Sequence, residues 1–183
     1  MQKSKGFVEA IVALLALAVV ACASTRTQKS PGEQVDDSVT TGRVKAALIA
    51  DPVTKAHQIN VETYRGTVQL NGFVDTAESK ERAAEVARGT KGVTKVENNL
   101  TVKSDPRSAS GVVDDSAITM KVKAALAGDP RTKAHQVNVE TREGVVQLSG
   151  FVDNSEAKST AEELARAVDN VKSVDNELSV KKE

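Results

Sequence analysis

The feature that most constrains the fold is an internal repeat, because two copies of one segment have to fold as two copies of one unit. Residues 36–103 align with residues 114–181 at a constant offset of 78 with no gap, and 40 of the 68 aligned positions are identical. Residues 104–113 lie between the copies and are rich in turn formers, which is typical of a linker. The chain is therefore expected to contain two similar domains joined by a short connection.

Each copy has the hydrophobic pattern of a helix, two strands, a second helix and a third strand. Ile118, Val122 and Leu126 recur at helical spacing. The runs around Leu70 and Leu148 instead alternate between apolar and polar residues, as half-buried strands do. The predicted fold is α+β: two tandem αββαβ units, each a three-stranded mixed sheet with two helices on one face.

Short polar motifs mark the ends of these elements. Tyr64-Arg65-Gly66 fits a tight hairpin, in which the glycine accepts a positive φ, and Arg142-Glu143-Gly144 is its counterpart in the second copy. The acidic pairs at 36–37 and 114–115 are expected to cap the first helix of each copy, since carboxylates favour the positive end of a helix. Asp75 and Asp153 are expected to begin the second helices in the same way.

Residues 1–21 have the pattern of an export signal. Two lysines precede an apolar run of about 12 residues, which is too short to span a bilayer. The run ends in Val19-Val20-Ala21-Cys22, which resembles a bacterial lipobox. Cys22 is therefore expected to carry acyl chains that hold the processed protein on a membrane.

Residues 22–35 are predicted to be the acylated cysteine and a polar tether that leads into the first domain. Because Ala23 rather than Asp follows the cysteine, the sorting pattern of Gram-negative bacteria implies the outer membrane, on its periplasmic face. The alternative is ordinary cleavage after Ala23, which would release a soluble periplasmic protein.

Composition excludes several classes of protein. The 25 basic and 25 acidic side chains cancel, and aromatic residues make up only 2%, so neither a general field for polyanions nor a stacking platform for nucleic acid is expected. His57 and His135 fall in different copies without the converging ligands that a metal needs. With no Gly-x-Ser-x-Gly or phosphate-binding loop, the sequence predicts no catalytic residues and no cofactor.

Two stretches of each copy resemble the BON domain. The segment Gly66–Val74 has the pattern glycine-x-valine-x-leucine-x-glycine-x-valine, and 93–100 resembles the closing strand of that family; the second copy repeats both patterns at 144–152 and 171–178. The resemblance implies BON domains at 36–103 and 114–181. It also implies an envelope protein without catalytic residues, linked to envelope integrity, osmotic stress, phospholipid binding or chaperoning.

The predicted central strand of each copy carries a glycine followed by a phenylalanine. Gly72 and Gly150 lie in the inward phase and are expected to let a helix backbone approach closely. Phe73 and Phe151 lie in the opposite phase, on the sheet face that the helices leave open. Large apolar groups on such a face usually make a contact, so packing between the two units is favoured over an external partner or simple exposure.

Basic side chains cluster in and just after the first helix of each copy: Arg43, Lys45 and Lys55 in the first, and Lys121, Lys123, Arg131 and Lys133 in the second. The second copy is the more basic, because it has Arg131 where the first has Val53. Lys121 and Lys123 belong to the helix, and Arg131 and Lys133 to the loop that follows it. Basic residues near a membrane surface gain about 1 kcal/mol each from anionic headgroups. We therefore expect this region to contact anionic phospholipid, with an envelope protein partner or a plain solvated helix face as the alternatives.

Overall fold

The structure of the protein, a computed structural model, describes residues 31–54, 59–103 and 109–182. In this part of the chain the same order of elements occurs twice. The first repeat contains α1 (Pro31–Ala50), β1 (Ile59–Tyr64), β2 (Thr67–Val74), α2 (Ala77–Arg88) and β3 (Lys95–Val102). The second contains α3 (Ala109–Gly128), a 3-10 turn (Ala134–Gln136), β4 (Asn138–Arg142), β5 (Val145–Val152), α4 (Ser155–Arg166) and β6 (Ser173–Val180). The predicted order is confirmed.

Each repeat has a three-stranded mixed sheet with its middle strand in sequence, β2 or β5, at the centre. The central strand pairs antiparallel with the strand before it and parallel with the strand that closes the repeat. Arg65 and Gly66 have φ of 48° and 74°, which is the backbone of the predicted hairpin turn. Glu143 and Gly144 adopt the same conformation in the second repeat. The α+β fold class is therefore confirmed.

The helices cover one face of each sheet, and a separate hydrophobic core fills the space between them. Leu70 and Leu148 are completely buried at the centres of these cores, as the alternation predicts. Asn98 and Asn176, in the closing strands, donate from their side-chain nitrogens to the carbonyls of Lys80 and Lys158 at 2.9 and 3.1 Å. Each unit thus anchors its closing strand to its second helix through a partly buried amide.

The predicted helix starts are wrong in both repeats. Helix α1 begins at Pro31, inside the predicted tether, and α3 begins at Ala109, inside the predicted linker. The acidic pairs at 36–37 and 114–115 consequently lie within these helices rather than at their ends.

The second helices begin one residue later than predicted. The N-caps are Thr76 and Asn154, whose side-chain oxygens accept from the backbone N–H groups of Ser79 and Ala157. The neighbouring aspartates make ion pairs instead, which leaves the cap to the hydroxyl and the amide. In the part of the chain that the structure describes, none of the helices is long and apolar enough to cross a membrane.

Candidate functional site

A buried carboxylate ties the first helix of each repeat to the hairpin of the same repeat. Asp37 is only 6% exposed, and its two oxygens accept from the backbone N–H groups of Arg65 and Gly66 at 2.8 and 2.9 Å. Asp115 is 2% exposed and binds Glu143 and Gly144 at the same two distances. These aspartates hold the turn in its positive-φ conformation, which is a structural role.

The open faces of the two sheets pack against each other within one compact unit, Ser30–Lys182. Gln69 projects from β2 into this interface and is fully buried. Its nitrogen donates to Ser179 Oγ at 2.7 Å and to a Glu97 carboxylate oxygen at 3.1 Å, and its oxygen accepts from the Gly150 N–H at 3.1 Å. One amide therefore connects β3 of the first repeat with two strands of the second.

The equivalent glutamine completes a nearly two-fold arrangement. Gln147, 2% exposed, donates to the Asn99 carbonyl at 2.8 Å and accepts from the Gly72 N–H at 2.6 Å. A reciprocal pair of surface bonds flanks the glutamines and follows the same symmetry: Asn60 donates to Glu140, and Asn138 donates to Glu62, each at 2.9 Å. Like the interface of a symmetric dimer, this surface is self-complementary.

Gly150, in the central strand of the second repeat, faces a loop and not a helix, so the helix approach expected at this glycine is wrong. Gly150 has a φ of 123°, and a Cβ at this position would lie 2.3 Å from the carbonyl oxygen of Gln136, in the 3-10 turn before β4. Gly72 has a similar φ of 113°. Only glycine accepts this conformation without strain.

The two phenylalanines of the open faces have different surroundings. Phe151 stacks on Tyr64 of the first repeat, with ring centroids 5.4 Å apart and an interplanar angle of 28°. The Tyr64 ring also lies 5.9 Å from the Lys181 ammonium. Phe73 is partly buried in the first repeat, and the position equivalent to Tyr64 in the second repeat is Arg142. The aromatic contact between repeats is thus present on one side of the near-symmetry only.

On the outer surface, Lys121 and Lys123 lie on either side of an apolar line along α3. Met120 is 67% exposed and stands between them. At 100° per residue, the two lysines project about 80° to either side of the line formed by Met120, Ala124 and Ala127. All of these side chains are exposed. The two lysines were predicted from the sequence and Met120 was not, although its position opposite the core face of the helix was the available signal.

Arg131 and Lys133 are engaged with carboxylates and do not extend this line. Arg131 makes bonds of 2.6 and 3.0 Å to Asp129, and these bonds hold the pKa of Asp129 at about 2. Lys133 pairs with Asp153 at 2.5 Å, as does Lys181. Burial alone would raise the pKa of Asp153, but the two lysines outweigh it and lower the pKa to about 2. The four predicted basic residues therefore form two pairs in different environments.

Of the remaining predicted positions, only His135 lies in the described residues. His135 is exposed in the 3-10 turn before β4. Cys22 and His57 lie outside the described residues. Within residues 31–54, 59–103 and 109–182, no three His, Cys, Asp or Glu side chains come together in a way that could hold a metal ion.

A second exposed apolar line, which the sequence analysis missed, runs along α1. Val35, Val39 and Ile49 are 62%, 43% and 74% exposed. With the exposed Gly42 and Ala46, they recur at helical spacing on the face opposite the buried Val44 and Leu48. The signal was present in the sequence, but a helix that is apolar on both faces does not reveal which face is buried.

Comparisons with known proteins agree with the repeat structure. The family model described as BON domain matches residues 36–104 and 114–182. The chain is 43% identical over 151 residues to the osmotically-inducible protein Y of Escherichia coli K12, covering 82% of this chain and 75% of that protein. It is 34% identical over 165 residues to the outer membrane lipoprotein DolP of Haemophilus influenzae, covering 90% of this chain and 84% of that protein.

A third relative is the 21 kDa hemolysin of Actinobacillus pleuropneumoniae, which is 36% identical over 148 residues, 80% of this chain and 75% of that protein. The architecture defines a protein of two tandem αββαβ units joined through their sheets. The chain belongs to the BON-domain family, with one domain in each repeat.

Proposed function

We propose that this BON-domain protein is a non-enzymatic outer-membrane lipoprotein that supports the integrity of the cell envelope. Acyl chains on Cys22 hold it on the membrane, and α3 contacts anionic phospholipid. The lipobox-like Val19–Cys22 and the similarity to the outer membrane lipoprotein DolP over 90% of the chain support the anchor.

The observation that supports the phospholipid contact is the position of Met120 between two cations. An exposed methionine next to solvated lysines has no partner in the core of its own repeat. On a bilayer surface the thioether would enter the interfacial region, while Lys121 and Lys123 would extend toward headgroup phosphates on either side. Arg131 and Lys133 contribute less in this proposal because their charge is already shared with aspartates.

Vesicle sedimentation tests this contact with the unlipidated mature chain (Cys22→Ser, signal segment removed). We expect binding to phosphatidylglycerol vesicles, weaker binding to phosphatidylcholine vesicles, and a steep loss with salt because exposed charges are screened within about 10 Å at 0.1 M. Lys121→Gln with Lys123→Gln should weaken binding roughly tenfold or more. Arg131→Gln with Lys133→Gln removes the same charge and serves as the matched control.

Equal binding to both kinds of vesicle would contradict the phospholipid contact and leave an envelope protein partner as the better explanation. An equal loss in the two double variants would contradict the assignment to α3. Either result is independent of the anchor, because the tested chain carries no acyl group.

The anchor has its own test, the distribution of the protein between cell fractions. Cys22→Ser should move the protein from the membrane to the soluble periplasmic fraction, because acyl chains are the proposed attachment. Wild-type protein that is already soluble would contradict the lipoprotein proposal.

The second candidate is a soluble periplasmic osmotic-stress protein or chaperone. It is favoured by the 43% identity to the osmotically-inducible protein Y. The mass of the mature N-terminus separates the two candidates, since acylation at Cys22 adds hydrocarbon chains whereas cleavage after Ala23 adds nothing.

A further inference from the structure

The outer face of α1, like that of α3, has a line of exposed apolar residues flanked by two cations, but its apolar residues are larger. Its line of exposed residues, the α1 stripe, is Val35, Val39, Gly42, Ala46 and Ile49. At 1.5 Å per residue the α1 stripe is about 21 Å long. Ile49 is 74% exposed, so it leaves more apolar surface in contact with water than the other residues of this helix.

Cations flank the α1 stripe on both sides. Arg43 and Lys45 project about 80° to either side of it, in the geometry that Lys121 and Lys123 have around Met120. Both are exposed. Asp36 is the nearest described acidic side chain on the same flank as Arg43, two turns toward the start of the helix. An apolar line between two cations complements an anionic lipid surface. The aliphatic parts of the Arg43 and Lys45 side chains can lie at the boundary of the acyl chains while their charged ends reach the headgroup phosphates.

The layers of the fold place the two helical faces on opposite sides of the molecule. Helix α1 covers one face of its sheet, the other face of that sheet packs on the second sheet, and α3 covers the far side of the second sheet. Because each stripe lies opposite the core face of its own helix, the two stripes point away from each other. One flat membrane therefore meets one stripe at a time.

We propose that the α1 stripe is a second contact for anionic lipid, so that one molecule links two anionic lipid surfaces through α1 and α3. Few residues separate Cys22 from Pro31, and this stretch spans at most about 30 Å when extended, which keeps α1 within reach of the membrane that holds the anchor. In the anchored protein α1 lies on that membrane, and α3 faces a second lipid surface. The inference rests on the proposed phospholipid contact of α3.

The test mixes two populations of phosphatidylglycerol vesicles, each with one dye of an energy-transfer pair, with the unlipidated mature chain. Sedimentation measures binding, and energy transfer measures linkage. We expect the wild type to bind and to link. The α1 variant (Arg43→Gln, Lys45→Gln, Ile49→Gln) should keep binding within roughly tenfold and lose linkage. The α3 variant (Met120→Gln, Lys121→Gln, Lys123→Gln) should bind roughly tenfold or more weakly, keep the binding that α1 provides, and lose linkage. The two sets combined should lose both binding and linkage.

A matched control removes two exposed cations from the same repeat but away from the stripe. Arg88→Gln with Lys91→Gln should link vesicles as well as the wild type does. All substituted side chains are exposed, so thermal unfolding should stay within about 2 °C of wild type in every variant. A single-residue variant, Ile49→Gln, separates the apolar contribution from the charge.

The outcomes separate the two proposals. Binding without linkage in the wild type, or linkage that survives in the α1 variant, would overturn the inference and leave the α3 contact standing. Complete loss of binding in the α3 variant would also overturn the inference, because it would mean that α1 binds no lipid by itself. Binding that survives in the α3 variant and vanishes in the α1 variant would overturn the α3 contact instead. A wild-type dimer that the α1 variant dissociates, measured by analytical ultracentrifugation, would assign the stripe to a second copy of the chain and overturn the lipid occupant.

Discussion

The two repeats hold their hairpins with the same buried aspartate and meet through the same pair of glutamines, yet their outer helices present different residues to solvent. Asp37 and Asp115 make bonds of identical length to their turns. On the outer faces, Ile49 corresponds to Ala127 and Gly42 to Met120. The buried aspartates and glutamines are identical in the two repeats, whereas these outward-facing apolar positions have diverged. The difference indicates a common scaffold that carries two separate surfaces.

The interface between the repeats shows the same contrast on a smaller scale. Gln69 and Gln147 exchange equivalent bonds with Gly150 and Gly72. The aromatic stack of Phe151 on Tyr64 has no matching aromatic pair across the near-symmetry, because the residue equivalent to Tyr64 is Arg142. The amide contacts define the geometry that both halves share, and the stack adds a contact that distinguishes them.

The largest expected effect tests whether the two cores are equivalent. Leu70→Ala and Leu148→Ala should each lower the free energy of unfolding by about 2–5 kcal/mol, because both leucines are completely buried and the cavity is only partly filled by relaxation. Urea unfolding followed by circular dichroism measures the loss. A midpoint within error of wild type for one of them would break the equivalence of the two cores.

The buried aspartates should give the next largest effect. Asp37→Ala or Asp115→Ala removes the acceptor for two backbone N–H groups in a turn, which should cost about 2–4 kcal/mol. The neighbouring Asp36 and Asp114 are exposed, so their replacement by Ala should change stability by no more than about 0.5 kcal/mol. Equal losses at neighbouring positions in urea unfolding would contradict the bonding that the structure assigns.

The sequence was sufficient for the fold because its two periodicities are local. Alternation placed Leu70 and Leu148 in the cores, and helical spacing placed Ile118, Val122 and Leu126 beneath α3, all of them buried. The hairpin at Arg65-Gly66 could be predicted because a tight turn requires a positive φ, which glycine accepts without strain. Each of these predictions depends on residues a few positions apart.

The sequence was insufficient where a side chain acts over a long separation. Asp37 looked like a helix cap, and its actual partners, Arg65 and Gly66, come 28 and 29 residues later. Gln69 binds Ser179 across 110 residues, and no local pattern marks that pairing. The outer line of α1 was also missed, because valines and an isoleucine on both faces of a helix hide the face that meets solvent.

The aromatic stack offers a smaller and more specific comparison. Phe151→Ala should cost about 0.5–1.5 kcal/mol more than Phe73→Ala, since only Phe151 is stacked on a tyrosine ring in the described structure. A Tyr64→Leu background should remove most of this difference, which a double-mutant cycle measures. Equal costs in the wild-type background would mean that the stack contributes nothing and that the interface is energetically symmetric.

The smallest expected effect compares equivalent ion pairs and depends on pH. The side chain of Asp153 is 24% exposed between Lys133 and Lys181, whereas that of Asp75, beside Lys103, is 54% exposed. Asp153→Asn should therefore cost about 0.5–1 kcal/mol at pH 7, and Asp75→Asn less, because solvent screens the more exposed pair.

The sign of the pH dependence follows from the pKa of Asp153. Although burial alone would raise it, the bonds from the two lysines lower it from 3.8 to about 2 in the folded protein. The stabilisation is therefore complete well above pH 3.8 and is lost as the pH falls through about 2. The difference between wild type and Asp153→Asn in urea unfolding should be constant near neutral pH and shrink toward zero near pH 2. A difference that persists at pH 2 would show that the asparagine disturbs packing, and that the two lysine pairs do not distinguish Asp153 from Asp75.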